Sequence, residues 1–480
     1  MRLDQIADAL EGARIEGDPS TEVTGLAYDS RRVEPGWLYF CVPGTVTDGH
    51  RFAPDAIGAG ASALVVERPL GLGIPEVVVG DVRQAMAPIA SLFEGDPTAE
   101  LSIAGITGTN GKTTTAFLLR DLLEAGGRKT GLIGTVRQVV GGRDEEVERT
   151  TPESVELQAT FRRMVEAGDT ACVMEVSSHA LDQRRTDSIA FDLAIFTNLS
   201  QDHLDYHGDM ESYFLAKRRL FEFGPGVALV NADDPYGARL AREFGGLTFS
   251  TAGAPADYVA HGIEFDRTGS RFTVTAPGGD LAVQVPLPGA FNVANALAAL
   301  AGAIALGVEP DLAAGALAGA SPVPGRLEPV DEGQEFGVLV DYAHTPEAVT
   351  NLLEAARELT GNRLITVIGA GGDRDRGKRP LMGEAAGSLS DLTVVTSDNP
   401  RSEPPEQIVG EVAAGVPKGS ELIVEVDRDV AIGLAIAAAG PGDTVVIAGK
   451  GHEQGQEFED GRKIPFDDRE AARRHLRGTG

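Results

Sequence analysis

The 480-residue sequence contains only two cysteines and no long apolar run. Cys41 and Cys172 lie far apart and form no CxxC pair, a pattern typical of proteins in a reducing compartment. The start, MRLDQIADALEG, lacks the basic and apolar segments of a leader, and no uninterrupted apolar run approaches the ~18 residues of a bilayer span. We therefore expect a cytoplasmic protein without membrane insertion.

Basic residues are scarce relative to acidic ones. The 42 Lys and Arg against 72 Asp and Glu give a formal net charge of −30. Nucleic acids and anionic membranes both require a basic face, so this charge argues against either partner. An anionic small substrate would need local basic clusters. The sequence offers Arg184-Arg185, Lys217-Arg218-Arg219 and the stretch 373–379.

What the sequence does have is length and a composition suited to buried cores. With 42% hydrophobic and 24% charged residues, it is typical of a globular chain, and its length predicts more than one domain. Pro- and Gly-containing stretches near 93–100 and 321–335 predict linkers. We therefore place three domains at 1–97, 98–328 and 329–480.

Seven apolar runs typical of β-strands each end in a polar or Gly-rich loop. In chain order they are LSIAGI, ACVMEV, FDLAIFTNL, FGVLV, LITVIGA, LTVVTS and TVVIAG. Ligands of open α/β sheets bind beyond the carboxyl ends of strands, so these loops predict large substrate sites formed by two facing sheets. The Ala-rich run FNVANALAALAGAIALGV is too polar for a membrane span and predicts a packed helix.

The loop GITGTNGKTTT at 105–115 indicates phosphate binding, because a strand precedes it and a helix from about 112 to 125 follows. Its glycines stand at 105, 108 and 111, whereas the strict Walker pattern requires glycine where Ile106 stands. We expect ATP phosphates on the loop and Mg²⁺ at its end. The residues expected to bind them are Gly108, Thr109, Asn110, Gly111, Lys112, Thr113 and Thr114.

Four further side chains at strand ends are candidates, each with a plainer alternative. Glu175 could hold Mg²⁺ or simply pair with an arginine while buried. His203 could ligate a metal, orient a carboxylate or be structural. Asp341 and His344 could reach a nucleotide, although Thr345 could cap a helix at the same place.

The stretch DNPRSEPPE suggests a binding site for a carboxylate. Asn399-Pro400 favours a turn that would present Asp398 and Arg401 rigidly, and arginine is suited to bidentate carboxylate binding. The alternative is a surface turn.

Several motifs together resemble the Mur ligases of peptidoglycan synthesis, from about residue 29 to about residue 470. The resemblance implies an α/β fold of three domains, with a central P-loop ATPase-like domain and a Rossmann-like C-terminal domain. It also implies that the altered glycine spacing is that family's own phosphate loop. The motifs are GITGTNGKTTT, RTTPESVELQ, MEVSSHALDQRR, TNLSQDHLDYHG, YFLAKRRLF, FNVANALAA, GRLE, DYAHTPEA, GGDRDRGKRP, DNPRSE and GKGHEQGQ.

The activity that this resemblance implies is ATP-dependent amide ligation through an acyl phosphate. The motifs are most similar to those of ligases that add meso-diaminopimelate to the D-glutamyl γ-carboxylate of UDP-N-acetylmuramoyl-L-alanyl-D-glutamate. The alternatives are other Mur ligases, above all an L-lysine-adding one, folylpolyglutamate synthetase, a P-loop kinase or motor NTPase, and a nucleotide-binding regulator. We expect small-molecule substrates only, and a monomer.

The resemblance also implies roles for particular residues. Lys112, Lys217, Glu175 and His203 would be catalytic, and Thr113, Glu175, His203 and a carbamoylated Lys217 would hold the metal. Arg218-Arg219 would favour the neutral amine of Lys217. ATP would also contact Asn292, Arg326, Asp341 and His344. The UDP-dipeptide would contact the segment 43–50 and Ser30, Thr150, Thr151, Ser177, Gln183 and Arg185. Diaminopimelate would contact Arg374, Asp398, Asn399, Pro400, Arg401, Gly449 and Glu453.

Overall fold

The computed structural model describes residues 1–44 and 47–478, and these form two compact units. The first unit comprises Met1–Gly105, Arg128–Ala194 and Arg219–Gly226. The second comprises Ile106–Gly127, Ile195–Arg218 and Val227–Gly480. The three domain boundaries expected from the sequence stay a prediction. Thr45 and Val46, in the segment 43–50 expected to contact the UDP-dipeptide, lie outside the described residues.

The N-terminal part of the first unit is a five-stranded sheet of order β1-β5-β4-β3-β2, parallel except for the edge strand β1. Its elements are α1 (Leu3–Asp8), β1 (Arg14–Glu16), β2 (Gly25–Ala27), β3 (Trp37–Phe40), α2 (Ala53–Gly58), β4 (Ala63–Val66), β5 (Glu76–Val78) and α3 (Val82–Phe93). Leu38 and Phe40 join the core on one face, and Tyr39 and Cys41 join the core on the other. Both faces are therefore buried, as in other parallel sheets.

The middle of the chain supplies a second sheet. Its elements are β6 (Ser102–Thr107), α4 (Lys112–Ala125), β7 (Thr130–Ile133), β8 (Gln138–Val140), β9 (Arg143–Glu145), α5 (Ser154–Ala167), β10 (Ala171–Glu175), α6 (Ser178–Asp182), β11 (Leu193–Phe196), α7 (Leu204–His207), α8 (Met210–Glu222), β12 (Val227–Asn231), α9 (Pro235–Phe244), β13 (Leu247–Ser250), β14 (Tyr258–Asp266), β15 (Gly269–Ala276), β16 (Gly279–Val285), α10 (Ala290–Ala305) and α11 (Pro310–Ala316). In the first unit the strand order is β6-β10-β7-β8-β9, and in the second it is β16-β15-β14-β13-β12-β11. Strands β6 and β11 each begin in the first unit and end in the second.

The C-terminal part of the second unit is a six-stranded sheet of order β17-β18-β22-β19-β20-β21, parallel except for β17. Its elements, with a separate hairpin of β23 and β24, are β17 (Glu328–Pro329), β18 (Gly337–Asp341), α12 (Pro346–Leu359), β19 (Leu364–Ile368), α13 (Lys378–Leu389), β20 (Leu392–Val395), α14 (Pro405–Ala413), β21 (Glu421–Val424), α15 (Arg428–Ala438), β22 (Thr444–Ala448), β23 (Gly455–Glu457), β24 (Lys463–Pro465) and α16 (Asp468–Gly478). Asp341 pairs with Ala448, and Ile368 with Val395. This register brings the loops that follow these strands to one edge of the sheet.

The structure confirms the local predictions. All seven apolar runs contain strands, and α4 covers Lys112–Ala125 as expected. The Ala-rich run forms the largely buried helix α10. Both cysteines are buried and free, and burial raises the pKa of each thiol. Within residues 1–44 and 47–478, no helix has both the length and the apolar character needed to cross a membrane.

A buried ion pair joins α15 and α16. Arg428 Nε and Nη2 each donate to Asp468 at 2.7 Å, and both side chains are wholly buried. Asp468→Ala should lower the free energy of unfolding by about 3–5 kcal/mol, because it leaves an uncompensated buried guanidinium. Urea-induced unfolding measures this change. Arg477→Ala, which breaks the exposed pair with Glu332, is the control and should leave the urea midpoint nearly unchanged. Equal effects of the two changes would contradict the prediction.

Candidate active site

Side chains packed closely against the loop backbone explain the glycine spacing of the phosphate loop. A Cβ added at Gly108, whose φ is +151°, would lie 1.9 Å from Thr197 Oγ1. A Cβ at Gly111, whose φ is +85°, would lie 2.3 Å from Asn295 Oδ1. At Gly105, in β6, it would lie 2.6 Å from a phenylalanine ring carbon. The neighbours of all three positions therefore require glycine.

Lys112, the first residue of α4, folds back over the phosphate loop. Its Nζ donates to the carbonyl oxygens of Gly108 at 2.8 Å and Thr109 at 2.9 Å. The buried Thr113 hydroxyl accepts from Arg326 Nη2 at 3.1 Å. An ammonium, a guanidinium and a hydroxyl thus meet at the N-terminus of a 14-residue helix, whose dipole favours an anion. This end of α4 is suited to bind a polyphosphate.

The phosphate loop also contacts C-terminal elements within the second unit. Asn110 Nδ2 donates to Ser200 Oγ at 3.3 Å and to Glu347 Oε2 at 3.1 Å. The Asn110 backbone N–H donates to Asn198 Oδ1 at 2.9 Å. The phosphate loop, the loop after β11 and the start of α12 are therefore joined.

Lys217, on α8, is only 1% exposed. Its Nζ donates to the Gly108 carbonyl at 2.8 Å and lies 4.6 Å from the centre of the Tyr213 ring. Burial, and after it the Lys112 ammonium, hold the pKa of Lys217 well below that of free lysine, although Asp202 opposes the shift. This environment favours the neutral amine.

The expected influence of the neighbouring arginines on Lys217 is wrong. Arg218 forms an ion pair with Glu243 at 2.5 Å, and Arg219 forms one with Asp187 at 3.3 Å. These carboxylates balance the two guanidiniums. The low pKa of Lys217 is caused instead by its burial and by Lys112.

His203 and His344 lie around a buried carboxylate, Asp202. The Nε2 atoms of His203 and His344 lie 3.3 and 3.6 Å from Asp202 Oδ2, and Lys378 Nζ lies 3.0 Å from Oδ1. Burial alone would raise the pKa of Asp202, but Lys378 and the histidines hold it well below the usual range. Asp202 and Lys378 were not predicted as site residues, although both stand inside quoted motifs.

The other residues expected near ATP also lie in the second unit. Arg326 lies over the Tyr342 ring, 4.5 Å from its centre. Asp341 accepts from the backbone N–H groups of Leu327 and Ala343 at 2.8 and 2.7 Å, and burial raises its pKa. Asp341 therefore braces the chain that carries Arg326.

Asn292 is 1% exposed and donates to the Pro288 carbonyl at 2.9 Å. Thr345 accepts from the Ala348 N–H and caps α12, so the capping alternative is also realised.

Five of the six residues expected at the UDP-dipeptide form one network with Glu175 in the first unit. Arg185 donates to the Thr151 carbonyl at 2.9 Å and to Gln183 Oε1 at 2.7 Å. The Thr151 hydroxyl donates to the Glu175 carbonyl at 2.8 Å and accepts from the Ser177 N–H at 3.1 Å.

Thr150 and Glu175 meet through a further threonine. The hydroxyl of Thr135 lies 3.0 Å from that of Thr150 and donates to Glu175 Oε2 at 3.0 Å. Ser30 lies in the 3-10 helix Ser30–Arg32, and among the described residues no hydrogen bond links it to this network.

Glu153 is a further buried carboxylate beside this network, and it was not predicted as a site residue. Arg83, Arg149 and Arg185 lie 3.0, 3.4 and 3.0 Å from its oxygens. Three guanidiniums around one carboxylate leave positive charge in excess, which suits an anionic substrate.

The residues expected to bind diaminopimelate come together at the ends of β20 and β22. Asp398 and Asn399 are buried, so the surface-turn alternative is wrong. Asn399 Nδ2 donates to Glu453 Oε2 at 2.9 Å. Burial alone would raise the pKa of Asp398, but Lys450 and then Arg428 lower it.

Arg401 is held in place by two partners. It adopts a left-handed φ of +52° directly after the Asn399-Pro400 turn. Its Nε donates to Glu457 Oε2 at 3.0 Å and its Nη1 to the Gly372 carbonyl at 2.7 Å. Arg374 is exposed, and a Cβ added at Gly371 would contact both arginine side chains.

The predicted metal residues differ in their fit to Mg²⁺, a cation that prefers oxygen ligands. Within residues 1–44 and 47–478, no three His, Cys, Asp or Glu side chains group as a metal site. The Thr113 hydroxyl and the Glu175 carboxylate each offer oxygen atoms of the kind that Mg²⁺ prefers. Unmodified Lys217 is a donor and does not, whereas a carbamate there would.

A phosphate loop, a buried lysine beside it and a Rossmann-like sheet define an ATP-binding α/β enzyme. The comparisons with known proteins give its family. The Mur ligase family catalytic domain matches residues 22–93, the Mur ligase middle domain 106–303, and the Mur ligase glutamate ligase domain 325–451. The chain belongs to the Mur ligase family, whose members are ATP-dependent ligases of peptidoglycan synthesis.

Similar proteins cover the whole chain. The UDP-N-acetylmuramoyl-L-alanyl-D-glutamate--2,6-diaminopimelate ligase of Geobacillus thermodenitrificans is 47% identical over 98% of this chain and 99% of its own. A solved structure of a ligase of the same name has a TM-score of 0.71 and 33% identity, covering 100% and 99% of the two chains. The MurF ligase of Thermotoga maritima in complex with ADP shares the fold, with a TM-score of 0.66 and 20% identity over 89% and 94% of the chains. The three-domain architecture expected from the sequence is thus confirmed.

Proposed function

We propose that this chain joins meso-diaminopimelate to the D-glutamyl γ-carboxylate of UDP-N-acetylmuramoyl-L-alanyl-D-glutamate, as a cytoplasmic monomer. The names of its full-length relatives support this substrate pair. The observation that carries the proposal is the buried Asp398-Asn399 segment, which Lys450 joins to Glu453, with Arg401 directly after the Asn399-Pro400 turn. Carboxylates and a guanidinium on this segment complement an amino acid end that bears both an ammonium and a carboxylate.

The first step makes an acyl phosphate. An oxygen of the γ-carboxylate attacks the γ-phosphorus of ATP, and ADP leaves. Lys112 places its ammonium where negative charge grows on the transferring phosphoryl group. Mg²⁺, held by the residues predicted from the sequence, would supply further charge stabilisation on the phosphate oxygens.

The second step makes the amide. The amine of diaminopimelate attacks the acyl carbon, loses a proton, and the tetrahedral intermediate expels phosphate. An exposed acyl phosphate would hydrolyse, so the residues around it must exclude water.

Lys217 would act as a carbamate. Its neutral amine attacks CO₂, a nitrogen–carbon bond forms and a proton is released. The product is an anionic oxygen ligand in place of a neutral amine. The burial of Lys217 beside Lys112 and the Gly108 carbonyl supports this proposal.

Arg401→Ala should lower kcat/KM for meso-diaminopimelate by about 10- to 100-fold, because hydrogen bonds between charged groups contribute about 1.5–3 kcal/mol. The preference over L-lysine, which lacks the distal carboxylate, should fall by the same factor. The effect is limited because Glu457 already pairs with Arg401 at 3.0 Å, so bound lysine would not leave the guanidinium without a partner.

Steady-state kinetics with each amino acid measure this change. Arg363→Ala, which removes a partly exposed arginine that precedes β19 and pairs with Glu421, is the matched control and should change neither value. An Arg401→Ala variant that keeps the full preference would contradict the role of this arginine.

A competition experiment tests the substrate pair directly. Purified protein receives ATP, the UDP-dipeptide and equal concentrations of meso-diaminopimelate and L-lysine, and mass spectrometry measures the products. We expect the diaminopimelate product to dominate. A dominant lysine product would favour the lysine-adding alternative, and a phosphorylated compound without an amide would favour a kinase.

A further inference from the structure

Lys450 is a wholly buried lysine between two glycines that have positive φ angles. A Cβ added at Gly449 would lie 3.0 Å from Asp398 Oδ2, and one at Gly451 would lie 2.7 Å from the Gly325 carbonyl oxygen. Because the backbone on both sides of Lys450 admits only glycine without displacement, the position of this lysine is closely fixed.

The ammonium of Lys450 bonds three of the residues proposed to bind diaminopimelate. Its Nζ donates to Asp398 Oδ1 at 3.2 Å, Asn399 Oδ1 at 2.9 Å and Glu453 Oε2 at 3.0 Å. An ammonium has three N–H donors, so these contacts use all of them. Lys450 therefore has no donor left for a substrate.

The charges in this cluster favour one incoming cation. Asp398 and Glu453 would repel each other without the Lys450 ammonium between them. Two carboxylates and one ammonium sum to one negative charge. Arg428, close to Asp398, is balanced by Asp468. One negative charge matches one ammonium group.

We propose that Lys450 is a positioning residue that keeps Asp398, Asn399 and Glu453 in place as the receptor for an ammonium group of diaminopimelate. It does so without contacting the amino acid. The inference rests on the proposed function. It adds that Lys450 fixes the positions of the residues that receive the ammonium group.

Lys450→Met keeps the side chain's length and removes its charge. We expect kcat/KM for diaminopimelate to fall at least about 100-fold, mainly through KM. The KM for ATP and the acyl phosphate trapped by hydroxylamine should stay within about threefold of wild type, because neither uses the amino-acid site. Lys450→Arg should recover part of the loss. Lys418→Met, at an exposed lysine of the same domain, is the matched control.

A folded Lys450→Met variant with unchanged KM for diaminopimelate would overturn the inference, as would equal losses in amide formation and in acyl phosphate trapping. If that variant does not fold, a crystal structure of the wild type with diaminopimelate decides. Retention of the three Lys450 bonds supports the inference, and a direct bond from Nζ to the amino acid overturns it. If the wild type couples only L-lysine, the proposed substrate is wrong, and the role of Lys450 is then tested with lysine. In that case Lys450→Met should raise the KM for lysine as much as it was expected to raise the KM for diaminopimelate.

Discussion

Lys217→Ala should reduce amide formation by at least about 100-fold, since it removes the group proposed to become an anionic metal ligand beside the transferring phosphoryl group. Formate or acetate should restore part of the rate, because a small carboxylate can occupy the vacated space. Steady-state rates with and without added carboxylate measure both effects. Intact-mass measurement of the wild type under CO₂ should show the added carbamate.

The control for this prediction is Arg218→Ala on the same helix. It removes a neighbouring cation that pairs with Glu243, and it should keep the rate within about twofold. An active Lys217→Ala variant, together with no added mass on the wild type, would refute carbamoylation. A large loss of rate in Arg218→Ala would instead support the hypothesis that the adjacent arginines favour the neutral amine of Lys217. The ion pairs of these arginines argue against that hypothesis.

Lys112→Ala should fold normally and lose on the order of 3 kcal/mol of transition-state stabilisation, or about 100- to 200-fold in rate. Its ammonium lies at the start of α4 against the Gly108 and Thr109 carbonyls, where a polyphosphate would bind. Acyl phosphate trapping by hydroxylamine isolates the step in which it acts. That step should slow as much as the whole reaction.

Lys129→Ala, an exposed lysine shortly after α4, is the control for Lys112 and should leave the rate unchanged. A Lys112→Ala variant that retains more than about a tenth of the wild-type rate would remove this lysine from the mechanism.

Local sequence patterns predicted much of the fold. The apolar runs before polar loops are strands, and the helix after the phosphate loop covers Lys112–Ala125, because periodicity and glycine positions act over short distances. The glycines at 105, 108 and 111 were visible in the sequence. The side chains that require them, such as Thr197 and Asn295, become neighbours only through the fold.

The candidate site was less completely predictable, because its charges are balanced by residues far apart in the sequence. Asp202 pairs with Lys378, 176 positions away, and Arg401 pairs with Glu457, 56 positions away. The pKa of Lys217 was ascribed to adjacent arginines, but their carboxylate partners cannot be read from local sequence. Which residues bind each substrate stays a prediction.

The stoichiometry of phosphate and amide tests the central claim most directly. Purified protein is given ATP and the UDP-dipeptide, with meso-diaminopimelate, with L-lysine or with no amino acid, and both products are quantified. We predict one phosphate released per amide formed with diaminopimelate, and little phosphate without an amino acid. Phosphate release that does not depend on the amino acid, or release without a UDP-tripeptide, would contradict the account.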